Sequence, residues 1–327
     1  MIDARLSDEF RQRLVECQAD WRNAYAGPLQ GKACVVFPED LARRCEQPPL
    51  RGVGLATLAS PLEPLRREPA HRSELLSEVR GGEWLTLLFE DGEWCLVQCE
   101  DGYVGWMARW SLLHQRSGER EQQRARLLGH YARPLGTLWD SDSWASASLC
   151  LGTPLLRSDE EIGERGGRHL VALPWGAEGW LGEDEIDWAG RDRERGATSL
   201  LRRATMLLGT PYRWGGRSAA SLDCSGYVQL VFEREGMRLP RDAAQQSASG
   251  RALALEENAW EAGDLLLFGE PADHVGIYDG RGALLHCRGF VRRQGLGEIP
   301  ELVARLSAAR RIQPKAEEPT LWLDPRP

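Results

Sequence analysis

Lysine is almost missing from this chain: of 41 basic residues in 327, only Lys32 and Lys315 are lysines. The 49 acidic residues bring the net charge to −8. That balance lacks the clustered positive charge a phosphate backbone demands, so no nucleic-acid partner is expected. The arginine bias reads as a genomic composition preference and carries no functional meaning. Long apolar runs are absent too. No stretch approaches the roughly 18 apolar residues that span a bilayer. The opening Met-Ile-Asp-Ala-Arg-Leu-Ser-Asp-Glu-Phe has neither the basic nor the apolar segment of an export signal. No membrane partner is expected, and the expected location is the cytoplasm.

The cysteines, at 17, 34, 45, 95, 99, 150, 224 and 287, form no CxxC pair and no zinc spacing with histidine. No metal and no cofactor is therefore expected. In a chain of this length without an export signal they read as reduced thiols, several of them small core residues.

What the chain does have is the composition of a globular protein, 42% hydrophobic and 28% charged with mean hydropathy −0.44, and length for two or three domains. Phe10, Leu14, Cys17 and Trp21 recur at helical spacing behind Ser7 as N-cap, which predicts an amphipathic helix over Ser7–Tyr25 within an N-terminal extension, 1–48. Past Pro48-Pro49 come short apolar runs, Trp84–Phe89 and Trp94–Val97, set between Asp91-Gly92 and Asp101-Gly102 turns. They predict a small antiparallel β domain over 49–115. A second, over 116–191, carries Leu135–Trp139, His169–Leu173 and Gly179–Leu181. Gly105-Trp106-Met107 and Gly179-Trp180-Leu181 look like one element occurring twice, a short repeat that fits tandem β-barrels. Both segments resemble bacterial SH3-like domains, in which such a Gly-Trp strand recurs near the end.

From about residue 192 to 313 the texture changes to helices, Ser199–Leu208 and Asp223–Glu235, followed by strands at Asp264–Phe268, His274–Tyr278 and Ala283–Arg288. That order predicts an α+β domain. The proline-rich residues 314–327 read as a loosely attached tail.

Chemistry concentrates in this third domain. Cys224 opens a predicted helix with the apolar face Val228, Val231 and Phe232. Unpaired N–H groups and the macrodipole at a helix N-terminus favour the thiolate, the nucleophilic form. A thiolate nucleophile also needs a proton shuttle and an orienting partner. If Asp279-Gly280-Arg281 is a three-residue loop, Tyr278 faces Gly282, Gly276 faces Leu284, and His274 lies directly across from His286 on one face of a hairpin. One imidazole can then serve Cys224 as base while the other fixes its tautomer.

These residues sit in a set of motifs: Pro211-Tyr212-Arg213-Trp214-Gly215-Gly216, Asp223-Cys224-Ser225-Gly226, Leu239-Pro240-Arg241 with Gln246, Gly263–Phe268, His274–Tyr278 and Leu285-His286. In content and order they resemble the NlpC-type family of papain-like cysteine peptidases, over about Leu201–Ile312. The resemblance implies Cys224 as nucleophile, His274 as general base, His286 as the polar residue that orients it and Tyr212 beside the oxyanion. It also implies Asp223 and Ser225 as contacts to the substrate's amine and D-glutamyl carboxylate, although both are equally good helix caps. Arg241 matches only in part, because Ala243 stands where a hydroxyl residue is usual. It serves either a substrate carboxylate or a structural ion pair with Asp242 or another acid.

Two SH3-like domains ahead of such a peptidase resemble γ-D-glutamyl-L-diamino acid endopeptidases that act on peptides with a free N-terminal L-alanine. There the first SH3-like domain closes one end of the cleft. Glu78, with Glu83 as substitute, and Tyr103 are the residues here that would hold the amine. The implied partner is a small murein peptide and the implied process is its recycling. The alternatives are a lytic endopeptidase on intact peptidoglycan, a silent wall-binding module, and acyl transfer on the same thiol. The sequence fixes no oligomeric state.

Overall fold

The structure, a computed structural model, describes residues 54–116, 118–142, 144–159, 164–190 and 196–313. The expected helix over Ser7–Tyr25 and the tail 314–327 lie outside them. Among the described residues no helix is long and apolar enough to cross a membrane.

Short strands build the first sheet: β1 (Gly54–Leu58), β2 (Leu62–Arg66), β3 (Leu75–Arg80), β4 (Trp84–Asp91), β5 (Trp94–Cys99), β6 (Val104–Ala108) and β7 (Leu112–Gln115). Period-two alternation turns Leu85 and Leu87 of β4 and Cys95 and Val97 of β5 into a common core with Leu58, Leu65, Val79 and Met107. The strands run in the order β3-β2-β6-β5-β4-β1-β7.

Helix α1 (Glu119–Arg126) leads to a second sheet of β8 (Leu127–Tyr131), β9 (Leu135–Trp139), β10 (Ala145–Cys150), β11 (Pro154–Arg157), β12 (Glu164–Arg165), β13 (Arg168–Ala172), β14 (Glu178–Gly182) and β15 (Ile186–Trp188). Its order, β10-β9-β14-β13-β11-β8-β15 with the two-residue β12 beside β13, follows the same path as the first. Trp106 of β6 pairs with Arg66 and Leu96, and Trp180 of β14 pairs with Trp139 and Leu170. The two Gly-Trp segments therefore hold one position in a repeated SH3-like topology, which the short sequence repeat anticipated.

The third unit is α+β. Helix α2 (Ala197–Met206) precedes a small hairpin, β16 (Arg217–Ser218) and β17 (Ser221–Leu222). Helices α3 (Cys224–Arg234) and α4 (Ala243–Gln246) follow. The chain then lays down β18 (Arg251–Leu253), β19 (Leu265–Phe268), β20 (His274–Tyr278), β21 (Ala283–Arg288), β22 (Phe290–Gly295), α5 (Pro300–Val303) and β23 (Leu306–Arg311). These strands form an antiparallel sheet in the order β18-β23-β19-β20-β21-β22. Alternation splits its side chains cleanly. Leu265, Leu267, Val275, Ile277, Leu285, Cys287 and Val291 share a core with Val228, Val231 and Phe232 of α3. Leu266, Phe268, Tyr278, Leu284 and Ala309 share another with Ile299 and Leu302. Each large apolar side chain so buried contributes roughly 1.5–3 kcal/mol.

The sequence predicts one apolar face for α3, yet the helix is buried along almost its whole length. The reason is that the first β domain covers its other side. Gln229 Nε2 donates to Asp101 Oδ2 at 3.0 Å, and Gln229 Oε1 accepts from Arg217 Nε at 2.6 Å. Buried ion pairs join the same two domains: Arg217 Nη1 donates to Glu83 Oε2 at 2.8 Å, and Arg80 contacts Glu83 and, at 2.7 Å, Glu233. Burial alone would push Glu233 up, but Arg80, Arg217 and Arg234 outweigh it and hold the carboxyl at about 2.

Candidate active site

Cys224 is the first residue of α3. Asp223 caps the helix, its Oδ1 accepting the Gly226 N–H at 2.7 Å. The Cys224 thiol donates to the Asp273 carbonyl at 3.8 Å, and the backbone N–H groups of Val275 and Ser225 point at its sulfur. The sulfur thus lies against the peptide groups on both sides of His274. The helix terminus does not win on its own terms: burial, then the Asp223 charge, pushes the thiol up to about 12 against the N–H groups and Arg241. Burial therefore opposes the thiolate that the helix N-terminus favours.

His274 and His286 meet, in a register different from the expected one. Gly276, not His274, stands opposite His286, with Ile277 opposite Leu285 and Tyr278 opposite Leu284. The turn is responsible. Asp279 Oδ1 accepts the N–H groups of Arg281 and Ala283, and Gly280 and Gly282 adopt positive φ, so the loop is Gly280-Arg281-Gly282. The ladder slides by two residues, which keeps both histidines on one face. At Gly276 a Cβ would come within 2.9 Å of the His286 Cβ and closer still to Leu284. With no side chain there, His286 leans across to His274, and His274 Nε2 lies 2.8 Å from His286 Nδ1. Burial, with His286 next, drives His274 down to about 3, and burial also lowers His286. Burial thus favours the neutral form of both rings.

Sequence reasoning missed Gln294, whose Oε1 lies 2.9 Å from His286 Nε2. The signal was available, because alternation along β22 puts residue 294 on the face that bears the histidines.

Arg241 makes its ion pair with Asp223. Its Nη1 and Nη2 grip Asp223 at 3.0 and 2.6 Å, Nη1 also reaches Ser225 Oγ at 3.0 Å, and Nε donates to Ser77 Oγ at 2.9 Å. The guanidinium is buried and filled, so Arg241 holds Asp223 and Ser225 in place instead of presenting a free fork. Asp223 serves as cap and as ion-pair partner together, with Oδ2 taking the Gly215 N–H at 3.0 Å. Tyr212 is 37% exposed, and its phenol is pushed up by burial and then by the charges of Cys224 and Asp223, which places it within electrostatic reach of the thiol.

The first β domain supplies one wall. Ser77 of β3 holds Arg241, and Glu78 Oε2 accepts the Arg217 N–H at 3.0 Å and the Ser218 hydroxyl at 3.1 Å. Glu78 Oε1 has a lighter partner, Arg213 Nη1 at 3.4 Å, from a side chain 55% exposed. Tyr103 Oη donates to Asp242 at 3.2 Å, beside Arg241. Glu83 is held in the buried pairs with Arg80 and Arg217. Of the two alternatives, Glu78 adjoins the Tyr212–Asp223 loop and Glu83 belongs to the domain joint. Among the described residues no group of three or more His, Cys, Asp or Glu could hold a metal ion.

A thiol at a helix N-terminus, set beside a histidine pair on an antiparallel sheet, defines a cysteine hydrolase of papain-like architecture. Residues 209–296 match the NlpC/P60 family, and residues 65–112 match the bacterial dipeptidyl-peptidase SH3 domain. The chain thus carries an NlpC/P60 cysteine peptidase domain behind bacterial SH3 domains. It is similar to the γ-D-glutamyl-L-lysine dipeptidyl-peptidase of Bacillus subtilis, 29% identical over 64% of this chain and 71% of the relative. The protein of the same description from Bacillus cereus is 27% identical over 65% of this chain and 67% of its own length. A crystal structure of an NlpC/P60 family protein from Bacillus cereus shares the fold, with TM-score 0.70 at 22% identity, over 80% of this chain and 100% of that one.

Proposed function

We propose that the chain hydrolyses the bond between γ-D-Glu and a diamino acid, diaminopimelate or lysine, in short cell-wall peptides with a free N-terminal L-Ala, and serves murein peptide recycling in the cytoplasm. The observation that carries this reading is strand β3 of the first β domain lying against the site, with Glu78 at its loop. Among the described residues Glu78 Oε1 is met by the exposed Arg213 alone, which a substrate ammonium displaces. A blocked amine, or a glycan strand continuing from it, brings no charge to that carboxylate and meets the β3 wall.

In this reading Cys224 Sγ attacks the scissile carbonyl while its proton passes to His274 Nδ1. Tyr212 and the N–H groups at the start of α3 hold the oxyanion. The imidazolium then protonates the departing amine as the C–N bond breaks, and water cleaves the thioester to release L-Ala-γ-D-Glu and restore the thiol. Arg241 keeps Asp223 and Ser225 aligned for the dipeptide.

The test is mass spectrometry of digests of L-Ala-γ-D-Glu-diaminopimelate and of intact peptidoglycan, with Cys224→Ala as control. Thiol-dependent release of L-Ala-γ-D-Glu from the free peptide alone is the expected result. Comparable cleavage of the intact wall would replace this reading with a lytic one.

A further inference from the structure

Three polar side chains stand in a diagonal row across three adjacent strands: His274 on β20, His286 on β21 and Gln294 on β22. His286 faces Gly276 on one side and Arg292 on the other, and neither partners its ring. Gly276 has no side chain, and the Arg292 guanidinium folds over the Phe290 ring, 3.9 Å from its centroid. The neighbours that reach His286 are therefore diagonal ones, a spacing long side chains bridge. His274 Nε2 lies 2.8 Å from His286 Nδ1, and His286 Nε2 lies 2.9 Å from Gln294 Oε1.

We infer that Gln294 is a positioning residue that sets the tautomer of both histidines and so leaves Nδ1 of His274 unprotonated for the thiol. An amide oxygen only accepts, so His286 Nε2 must carry a proton. A neutral His286 then has a bare Nδ1, which accepts from His274 Nε2–H. A neutral His274 protonated at Nε2 has its lone pair at Nδ1, and that nitrogen is the one free to take the thiol's proton. With the amide turned the other way, every bond in the row reverses and His274 Nδ1 is blocked by its own proton. One orientation makes a base and the other does not.

The charged groups around the pair are Arg288, Arg292, Asp273 and Arg305. Arg288 pairs with Glu301, Arg305 with Asp273, and Arg292 stacks on Phe290, so none of these contacts occupies His286 Nε2. The inference rests on the reading of Cys224 and His274 as the reacting pair, but its first readout needs no substrate.

The experiment is ¹⁵N NMR of the histidine rings of the full chain at neutral pH, followed by the variants Gln294→Leu and Gln294→Glu. In the unmodified protein both rings should be protonated at Nε2 alone, and a protonated Nδ1 on either ring would overturn the inference. Gln294→Leu should mix the tautomers of His286 and lower kcat about fivefold to tenfold, the worth of one neutral hydrogen bond, with KM unchanged. Gln294→Glu, which still accepts from Nε2 and adds a charge, should restore the single tautomer and move the acid limb of kcat/KM to higher pH. A Gln294→Glu protein with mixed tautomers and an unmoved limb would contradict the role, whatever peptide proves to be the substrate.

Discussion

Arg241 and Asp223 lock together by two parallel hydrogen bonds, at 3.0 and 2.6 Å, beside the candidate nucleophile. Asp223 also caps α3, so this pair ties the Leu-Pro-Arg segment to the first turn of the helix that carries Cys224. Removing the arginine leaves a buried carboxylate without its counter-charge. Arg241→Ala should therefore cost about 3–5 kcal/mol, and Arg241→Lys, which keeps charge but not the fork, should cost less. Denaturant midpoints decide this, and equal stabilities for wild type and Arg241→Ala would refute it.

The joint between the first β domain and the peptidase domain makes a second prediction. Arg217 and Glu83 are buried partners across it. Arg217→Met or Glu83→Leu alone strands a charge, whereas the double variant strands none. A double-mutant cycle read by thermal unfolding should give a coupling of at least about 1 kcal/mol, with the double variant more stable than the sum of the single losses allows.

Acid should weaken the fold through His274. Its ordinary value of 6.5 applies to the unfolded chain, while burial and His286 hold it at about 3 in the folded one. Between those values the unfolded chain binds a proton that the folded chain refuses, so stability is complete above pH 6.5 and falls as pH drops toward 3. Urea midpoints of wild type and His274→Ala should converge in acid relative to their difference at pH 7. A His274→Ala protein with an undiminished acid slope would show that the imidazole is not the group responsible.

The resting thiol should be sluggish. With Cys224 at about 12, the thiolate fraction near pH 7 is very small. Alkylation by iodoacetamide, followed by mass spectrometry of the peptide bearing Cys224, should accelerate about tenfold per pH unit through the neutral range. A rate that levels off below pH 7 would indicate a standing thiolate–imidazolium pair instead.

Much of this site was legible in local pattern. The bounds of β20 and β21 follow from alternation between turn residues, and Asp223 as the cap before Cys224 follows from side-chain chemistry at helix starts. The hairpin register was misjudged because the loop placement depends on how Asp279 bonds the backbone two and four residues on, a competition that the Asp-Gly-Arg-Gly string leaves open. The histidines still meet because a two-residue slip preserves the face. The Arg241–Asp223 grip and the Arg217–Glu83 joint join segments far apart in the chain, so no local spacing reports them. The burial that opposes a thiolate at Cys224 escapes local pattern for a related reason: the helix terminus is visible in sequence, but the sheet packed on α3 is not.

The most direct test of the account is kcat/KM on L-Ala-γ-D-Glu-diaminopimelate and on its N-acetylated form, for the wild type and Glu78→Gln. A charge-assisted contact to the amine predicts a preference of about 10–100-fold for the free peptide, and Glu78→Gln should erase most of it by slowing the free peptide alone. Equal rates on the two peptides in the wild type would contradict the claim that the first β domain reads the substrate's amine.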